Sequence, residues 1–474
     1  MEKKKIVHSF FWTALETYST QGIAFLVSIF MARILSPSDY GILGIIGIFI
    51  ALSDTFIDSG FTNALINKKN CTNKDYSTVF YFNIIISIVF FCILFVAAPF
   101  IAEFYKNPVL KWTTRAMALS FVISSVGAVP MTIMTKELRF KPKAIISVIV
   151  SLCSGAIGIY LAYNGFGVWA LVWQTVLSVL VRVIIYVIYV RWIPLFIFSK
   201  QSFKELFGFG SKLLGSNIIY TLFNNIYNLV IGKAFNTTQL GYFTRADGYA
   251  KLIPSNISGV LGKFLFPILS KEKDNEAELI LLHTKFIIVT SYFIFPGCLF
   301  LAGFASPLIY LMISEKWMPI VPLLQIMCFA GIFEHFTTIN GNFMLARGNS
   351  SYYIKMHSIT KPIGIIILAI SIIGNMQIVA LGKVLYSMTC FFTGYHYLKK
   401  VLAVRFSNSI GEIVKLFIIS LLIGTGVILI FKVLDYTWLN LLSVGCMAGI
   451  LYIGLTLLFC RSTVTMITKI VHKN

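Results

Sequence analysis

The chain has 474 residues, of which 58% are hydrophobic, 15% aromatic and only 12% charged, and its mean hydropathy is +0.85. Soluble domains carry about 25% charged residues, so this chain has about half the charge it would need to wet its own surface, and no stretch long enough for a soluble domain lacks a membrane-spanning apolar run. It also bears a formal charge of +21, from 39 Lys and Arg against 18 Asp and Glu, an excess that points to nucleic acid, an anionic substrate or membrane topology.

An apolar run of about 20 residues crosses about 30 Å of hydrocarbon as a helix. About fourteen such spans are expected, near residues 9–33, 42–66, 78–101, 112–134, 144–163, 168–190, 211–233, 242–266, 279–303, 319–341, 354–373, 376–398, 413–434 and 439–460. The first follows a basic flank, Met1-Glu-Lys-Lys-Lys, but carries Glu16 and reaches Leu35 without an Ala-x-Ala-like site, so it reads as a retained helix. On it Thr13, Glu16, Thr17, Thr20 and Ala24 form one polar stripe at helical spacing. The second span places Asp54 and Asp58 one turn apart, and Arg115 and Arg182 fall in the fourth and sixth. Beyond the sixth, Arg191, Lys200, Lys204 and Lys212 interleave with Phe196, Phe198, Phe203, Leu206 and Phe207, the pattern of an amphipathic interfacial linker. The seventh carries Asn217, Thr221, Asn224, Asn225 and Asn228; the eighth carries Asp247, Lys251, Ser255, Ser258 and Gly262, with Lys263 beyond them. Pro254 interrupts the eighth, either as a hinge for gating or as a static kink. Glu334, Lys361 and Lys383 lie in the tenth, eleventh and twelfth. Eight cysteines without a C-x-x-C pair and six scattered histidines give no disulfide framework, metal site or catalytic constellation, so neither an enzyme nor a metal is expected.

An even span count puts both termini on one side. With the termini in the cytoplasm, about 26 basic residues fall in inner segments and about 7 in outer ones, the bias of a correctly counted topology. Most of the charge is therefore an address for membrane insertion. Spread over separate segments, it forms no single basic domain for nucleic acid.

Shifted by about 200 residues, the chain resembles itself. Ala32-Arg-Ile-Leu-Ser-Pro-Ser-Asp-Tyr-Gly aligns with Gly232-Lys-Ala-Phe-Asn-Thr-Thr-Gln-Leu-Gly, which pairs Arg33 with Lys233 and Gly41 with Gly241. Six helices per repeat is an even number, so the repeats insert in parallel about an axis along the membrane normal. The expected organisation is a six-helix lobe over 1–200, a second over 201–400, and two further helices with a tail over 401–474. Transporters of this build hold substrate between repeats, and the polar stripes of the first two helices of each repeat would line that cleft. For the Ser and Thr members, helix packing is an equal reading.

A cation within a span costs at least about 2.5–3.5 kcal/mol on insertion scales, so Lys251, Arg182, Arg115, Lys263, Lys361 and Lys383 are candidates for binding an anion. Arg115, Lys263, Lys361 and Lys383 lie near span ends and have the alternative of snorkelling to the interface. Lys251 and Arg182 are deeper. Asn217, Thr221, Asn224, Asn225, Asn228, Ser255 and Ser258 offer donors and acceptors suited to sugar hydroxyls. Glu16, Asp54, Asp58 and Glu334 are candidates for a coupling proton or sodium ion, with structural pairing to a lysine as the alternative.

Several stretches carry a resemblance: Ala32-Arg-Ile-Leu-Ser-Pro-Ser-Asp-Tyr-Gly, Leu138-Arg-Phe-Lys, Gly165-Phe-Gly-Val-Trp-Ala-Leu, Leu240-Gly-Tyr-Phe-Thr-Arg-Ala followed by Pro254 and Phe266-Pro-Ile-Leu-Ser, and Leu345-Ala-Arg-Gly. With the six-plus-six repeat, they resemble the polysaccharide-transporter branch of the multidrug/oligosaccharidyl-lipid/polysaccharide exporter superfamily, the Wzx-type flippases, and within it the colanic-acid and teichuronic-acid exporters. The resemblance implies a MATE-like fold of about fourteen helices and a flippase carrying an undecaprenyl pyrophosphate-linked oligosaccharide repeat unit to the outer leaflet of a bacterial inner membrane. It implies bilayer lipids, a polysaccharide polymerase and chain-length machinery as partners, no nucleic acid, and a monomer. A drug or cation antiporter of the same fold would favour an acidic cavity, and a glycan polymerase or ligase would need a long outer loop with catalytic Arg or His, whereas the outer loops here are short.

Overall fold

In hydrocarbon every backbone N–H and C=O must find its partner inside the chain, which leaves helices for these apolar runs. The computed structural model describes residues 2–57, 61–68, 70–272, 275–403 and 407–472. Among them the chain forms α1 (Glu2–Ile34), α2 (Pro37–Ile57), the short α3 (Asn63–Asn67), α4 (Asn73–Phe104), α5 (Val109–Lys136), α6 (Phe140–Tyr163), α7 (Val168–Val190), α8 (Lys200–Ala234) and α9 (Thr237–Lys271). It continues with α10 (Glu276–Gly303), α11 (Ala305–Ile313), α12 (Ile320–Ala346), α13 (Ser350–Ser371), α14 (Met376–Leu398), α15 (Ser407–Ile430), α16 (Trp438–Phe459) and α17 (Arg461–His472).

Each expected span falls on one of these helices, the second on α2 and α3. Ten of them, α4 to α7, α10 and α12 to α16, are long and apolar enough to cross a membrane among the described residues. The other four expected spans are α1, α2, α8 and α9. The described apolar run of α2 ends at Leu52, and α1, α8 and α9 are 33 to 35 residues long but carry the polar stripes.

Polar side chains mark where helices start. Thr72 and Asp75 make a reciprocal capping box at α4, and Asn275, Asn375 and Thr437 accept from backbone N–H groups at the starts of α10, α14 and α16. The linker differs from a purely interfacial stretch. Phe196 and Phe198 are exposed, but α8 begins at Lys200 and runs on into the seventh span. Leu206 and Phe203 join a core cluster with Phe61, Leu65 and Val79. Beside it Lys68 bridges Asp75 (3.1 Å) and Glu205 (3.0 Å). Burial opposes the Lys68 ammonium, yet the two carboxylates outweigh it and lift its pKa above the ordinary lysine value. Lys136 donates to the carbonyls of Leu65 and Lys68 and to the Cys71 thiol. Lys68 and Lys136, two of the basic residues expected on the inner side, therefore also tie the α3–α4 connection down.

The chain divides into two compact units, 1–241 and 242–474. In the first, α4 packs on α5, α5 and α6 on α7, α1 on α6 and α2 on α8. In the second, α10 packs on α12, α12 and α13 on α14, and α10 on α15. The third to sixth helices of each repeat thus pair in the same pattern. Within the first unit the aligned glycines meet reciprocally: a Cβ on Gly41 would land on the Thr237 carbonyl, and one on Gly241 on the Pro37 carbonyl. The Ser38 and Thr237 hydroxyls bond alongside at 2.7 Å. Pro37 and Thr237 occupy equivalent positions of the sequence repeat, so each aligned glycine sits against the backbone four residues before its counterpart.

Candidate functional site

The candidates separate into groups. In the first unit Glu16 on α1 accepts from the Ser147 hydroxyl of α6 (2.7 Å). The buried Tyr186 of α7 lies within electrostatic reach of both Glu16 and Arg182, and Arg182 is exposed one turn before it. Two candidates far apart in sequence, one acidic and one basic, are thus brought to one place. Arg115 is placed differently. Its Nε donates to the Phe95 carbonyl (3.1 Å), and its guanidinium covers the rings of Phe95 (4.1 Å) and Trp112 (5.0 Å). That arrangement fits a residue anchored near a span end by cation–π contacts. At the α4–α5 connection an open cavity of about 490 Å³ is lined by Glu103, Lys106 and Lys111 among others.

The stripes are partly consumed by their own helices. Thr17 and Thr20 donate to the carbonyls of Thr13 and Glu16, and Ser255 to that of Lys251. Thr221 of α8 bonds Thr55 of α2 (2.9 Å), and the Asn225 amide donates to the Thr221 carbonyl (2.9 Å). These hydroxyls act as helix packing. Asn224 is exposed, and Asn217, Asn228 and Ser258 are half-buried. Asp54 is exposed on α2; Asp58 and the Lys263 side chain lie outside the described residues.

The densest grouping is in the second unit. Asp247 and Lys251, one turn apart on α9, pair at 2.9 Å, and Lys383 of α14 reaches the other Asp247 oxygen. Glu334 of α12 is within electrostatic reach of Lys251, and the Cys390 thiol of α14 within that of Glu334 and Lys361. Four helices thus gather three lysines and two carboxylates. Alpha-helical continuity runs through Pro254, whose ring packs over Gly331 of α12, where a Cβ would stand 2.8 Å from Cγ. Gly297 of α10 meets Ile253 similarly. These glycines let α9 approach α10 and α12 closely enough for its charged turn to reach α14. An exposed ammonium beside half-buried carboxylates can receive a phosphate-bearing anion.

The sequence placed Asp247 in a stripe but assigned it no role. The signal was the Asp247–Lys251 spacing of four, a standard ion-pair interval on a helix. Also without a role were the pairs His283–Asn340 (2.9 Å) and Ser291–His335 (3.3 Å), which join α10 to α12, and Ser87–Ser125 (3.0 Å), which joins the equivalent α4 and α5. All are buried and read as interhelical polar glue. Among the described residues no His, Cys, Asp and Glu cluster could hold a metal ion.

A profile of the family described as polysaccharide biosynthesis protein matches residues 30–322. The chain is 26% identical over 430 residues to the teichuronic acid biosynthesis protein TuaB of Bacillus subtilis (strain 168), covering 89% of this chain and 88% of that one. It is 25% identical over 361 residues to the lipopolysaccharide biosynthesis protein WzxC of Escherichia coli (strain K12), covering 75% and 73%. Among solved structures it is similar to the lipid II flippase MurJ in an inward closed conformation, with TM-score 0.75 and 15% identity over 96% of this chain and 100% of that one. It is also similar to an inward-facing multidrug resistance MATE family transporter of the MOP superfamily, with TM-score 0.62 and 14% identity over 82% and 98%. The fold is therefore the MATE-like helical one that the resemblance implied.

Proposed function

The chain belongs to the polysaccharide biosynthesis protein family, and from that premise we propose that it is a flippase for a lipid-linked oligosaccharide repeat unit on an undecaprenyl pyrophosphate carrier. It moves the head group from the inner to the outer leaflet of a bacterial cytoplasmic membrane by alternating access, for O-antigen, capsule or exopolysaccharide assembly. The observation that carries this reading is the exposed ammonium of Lys251 on a membrane helix, set among charges from three other helices, in a chain whose relatives are named for teichuronic acid and lipopolysaccharide biosynthesis. A pyrophosphate cannot cross about 30 Å of hydrocarbon bare, and a cation placed in a span offsets part of that cost.

Arg182 is the second anion contact, and the Asn217, Asn224 and Asn228 amides supply hydrogen bonds to sugars without encoding one glycan. Glu16, Asp54 and Glu334 are the acids on which a coupling proton or sodium ion binds; Glu16, held by Ser147, is the best positioned. Both termini face the cytoplasm, a reading that the uneven distribution of basic residues supports. The chain acts as a monomer and hands its product to a polymerase with chain-length machinery. A cation antiporter of this fold is a poorer reading, because Lys383 already occupies Asp247.

In cells lacking the protein, lipid-linked repeat units accumulate on the inner face of the membrane. If polymerisation stopped while single repeat units still reached the outer face, the protein would be a polymerase or ligase instead.

A further inference from the structure

Asp247 receives two ammonium groups, Lys383 on Oδ1 and Lys251 on Oδ2. Their surroundings differ. Lys383 is 8% exposed, with Nζ 5.7 Å from the centroid of the Phe243 ring, whereas the Lys251 side chain is 46% exposed. One carboxylate cancels one ammonium. A buried ammonium has no water to fall back on and needs its counter-ion, while an exposed one does not. Glu334 and Lys361, which are linked electrostatically to this cluster, contribute one charge of each sign.

Resting on the flippase reading, we infer that Lys383 is a positioning residue and not a ligand. It occupies Asp247 and so leaves the Lys251 ammonium with a net positive charge for a phosphate-bearing anion. Without Lys383, Asp247 and Lys251 close into a neutral i,i+4 pair, and the exposed face of α9 loses its attraction for the head group. Asp247 is then the element that decides whether Lys251 is available.

The test titrates polyprenyl pyrophosphate into the full-length protein in detergent by calorimetry, beside a flipping assay on the same preparations. Lys383→Met weakens binding about tenfold, or about 1.4 kcal/mol. Adding Asp247→Asn to it restores affinity to within about threefold of wild type, because a neutral pair again leaves Lys251 uncompensated. Adding Lys251→Ala to that double variant abolishes the recovery. A merely structural pair would change the yield of folded protein and leave the affinity of the folded fraction alone. The inference is overturned if folded Lys383→Met binds like wild type, or if its loss is not recovered by Asp247→Asn in protein with the wild-type melting temperature. The two readings fail separately. Wild-type protein that binds the pyrophosphate in this pattern but flips no oligosaccharide refutes the flippase alone; protein that flips but does not bind the pyrophosphate refutes the role of Lys383 alone.

Discussion

Asp247→Asn alone strands Lys383. The variant keeps the size of the side chain and removes the carboxylate that Lys383 pairs with among the described residues, leaving a buried ammonium against Phe243. Breaking one side of a buried pair costs about 3–5 kcal/mol, and the 21% exposure of the Asp247 side chain sets the expectation at the lower end, about 3 kcal/mol. The affected unit, 242–474, is of a size for which each kcal/mol shifts the melting temperature by about 2–4 °C, so a fall of about 6–12 °C is expected. Thermal unfolding of the purified protein in detergent, followed by intrinsic fluorescence, measures it. The double variant Asp247→Asn/Lys383→Met removes both charges and melts within about 1 kcal/mol of wild type. An Asp247→Asn protein that melts with wild type, or a double variant as unstable as the single one, would show that the pair is not the buried contact described.

Three further outcomes follow from other parts of the molecule. Gly41→Ala places a Cβ on a backbone carbonyl that cannot rotate away, so membrane-inserted protein falls below detection on immunoblots, while Gly47→Ala, which meets nothing within 4 Å, accumulates normally. Lys251→Ala abolishes export with normal insertion and Lys251→Arg keeps part of it, measured as surface polysaccharide; full export in Lys251→Ala removes it from the site. The Lys68 pKa is raised by folding, so its bridges stabilise fully below the unfolded lysine value of 10.5 and weaken as pH climbs through the folded value. The melting difference between wild type and Lys68→Met is therefore constant from about pH 7 to about pH 10 and shrinks at higher pH; a difference that shrinks already at neutral pH contradicts the assignment.

The spans were legible because one requirement, enough apolar length to cross hydrocarbon, governs them one at a time. The stripes were legible as a helical spacing, and they fall on α1, α2, α8 and α9. The Gly41–Gly241 alignment showed more than similarity, since the aligned segments come into close contact. Pairing was not legible. Asp247 and Lys383 lie 136 residues apart, and nothing local in either span says which charge answers which. For the same reason Arg115 and Lys251 look alike in sequence, although one rests on Phe95 and Trp112 and the other shares a carboxylate with a buried lysine. The linker misled through its periodicity: alternating Phe and Lys describe an interfacial stretch, but Phe203 and Leu206 are held in the cluster around Phe61.

The central claim is transport, and one measurement reaches it most directly. The purified protein is reconstituted into liposomes whose inner leaflet carries undecaprenyl pyrophosphate-linked oligosaccharide, and exposure of the sugar to an added, membrane-impermeant glycosidase is followed in time. Wild-type protein exposes the inner pool well above the rate of protein-free vesicles, and Lys251→Ala does not. Equal rates with and without protein, under an imposed proton or sodium gradient as well as without one, would contradict the account.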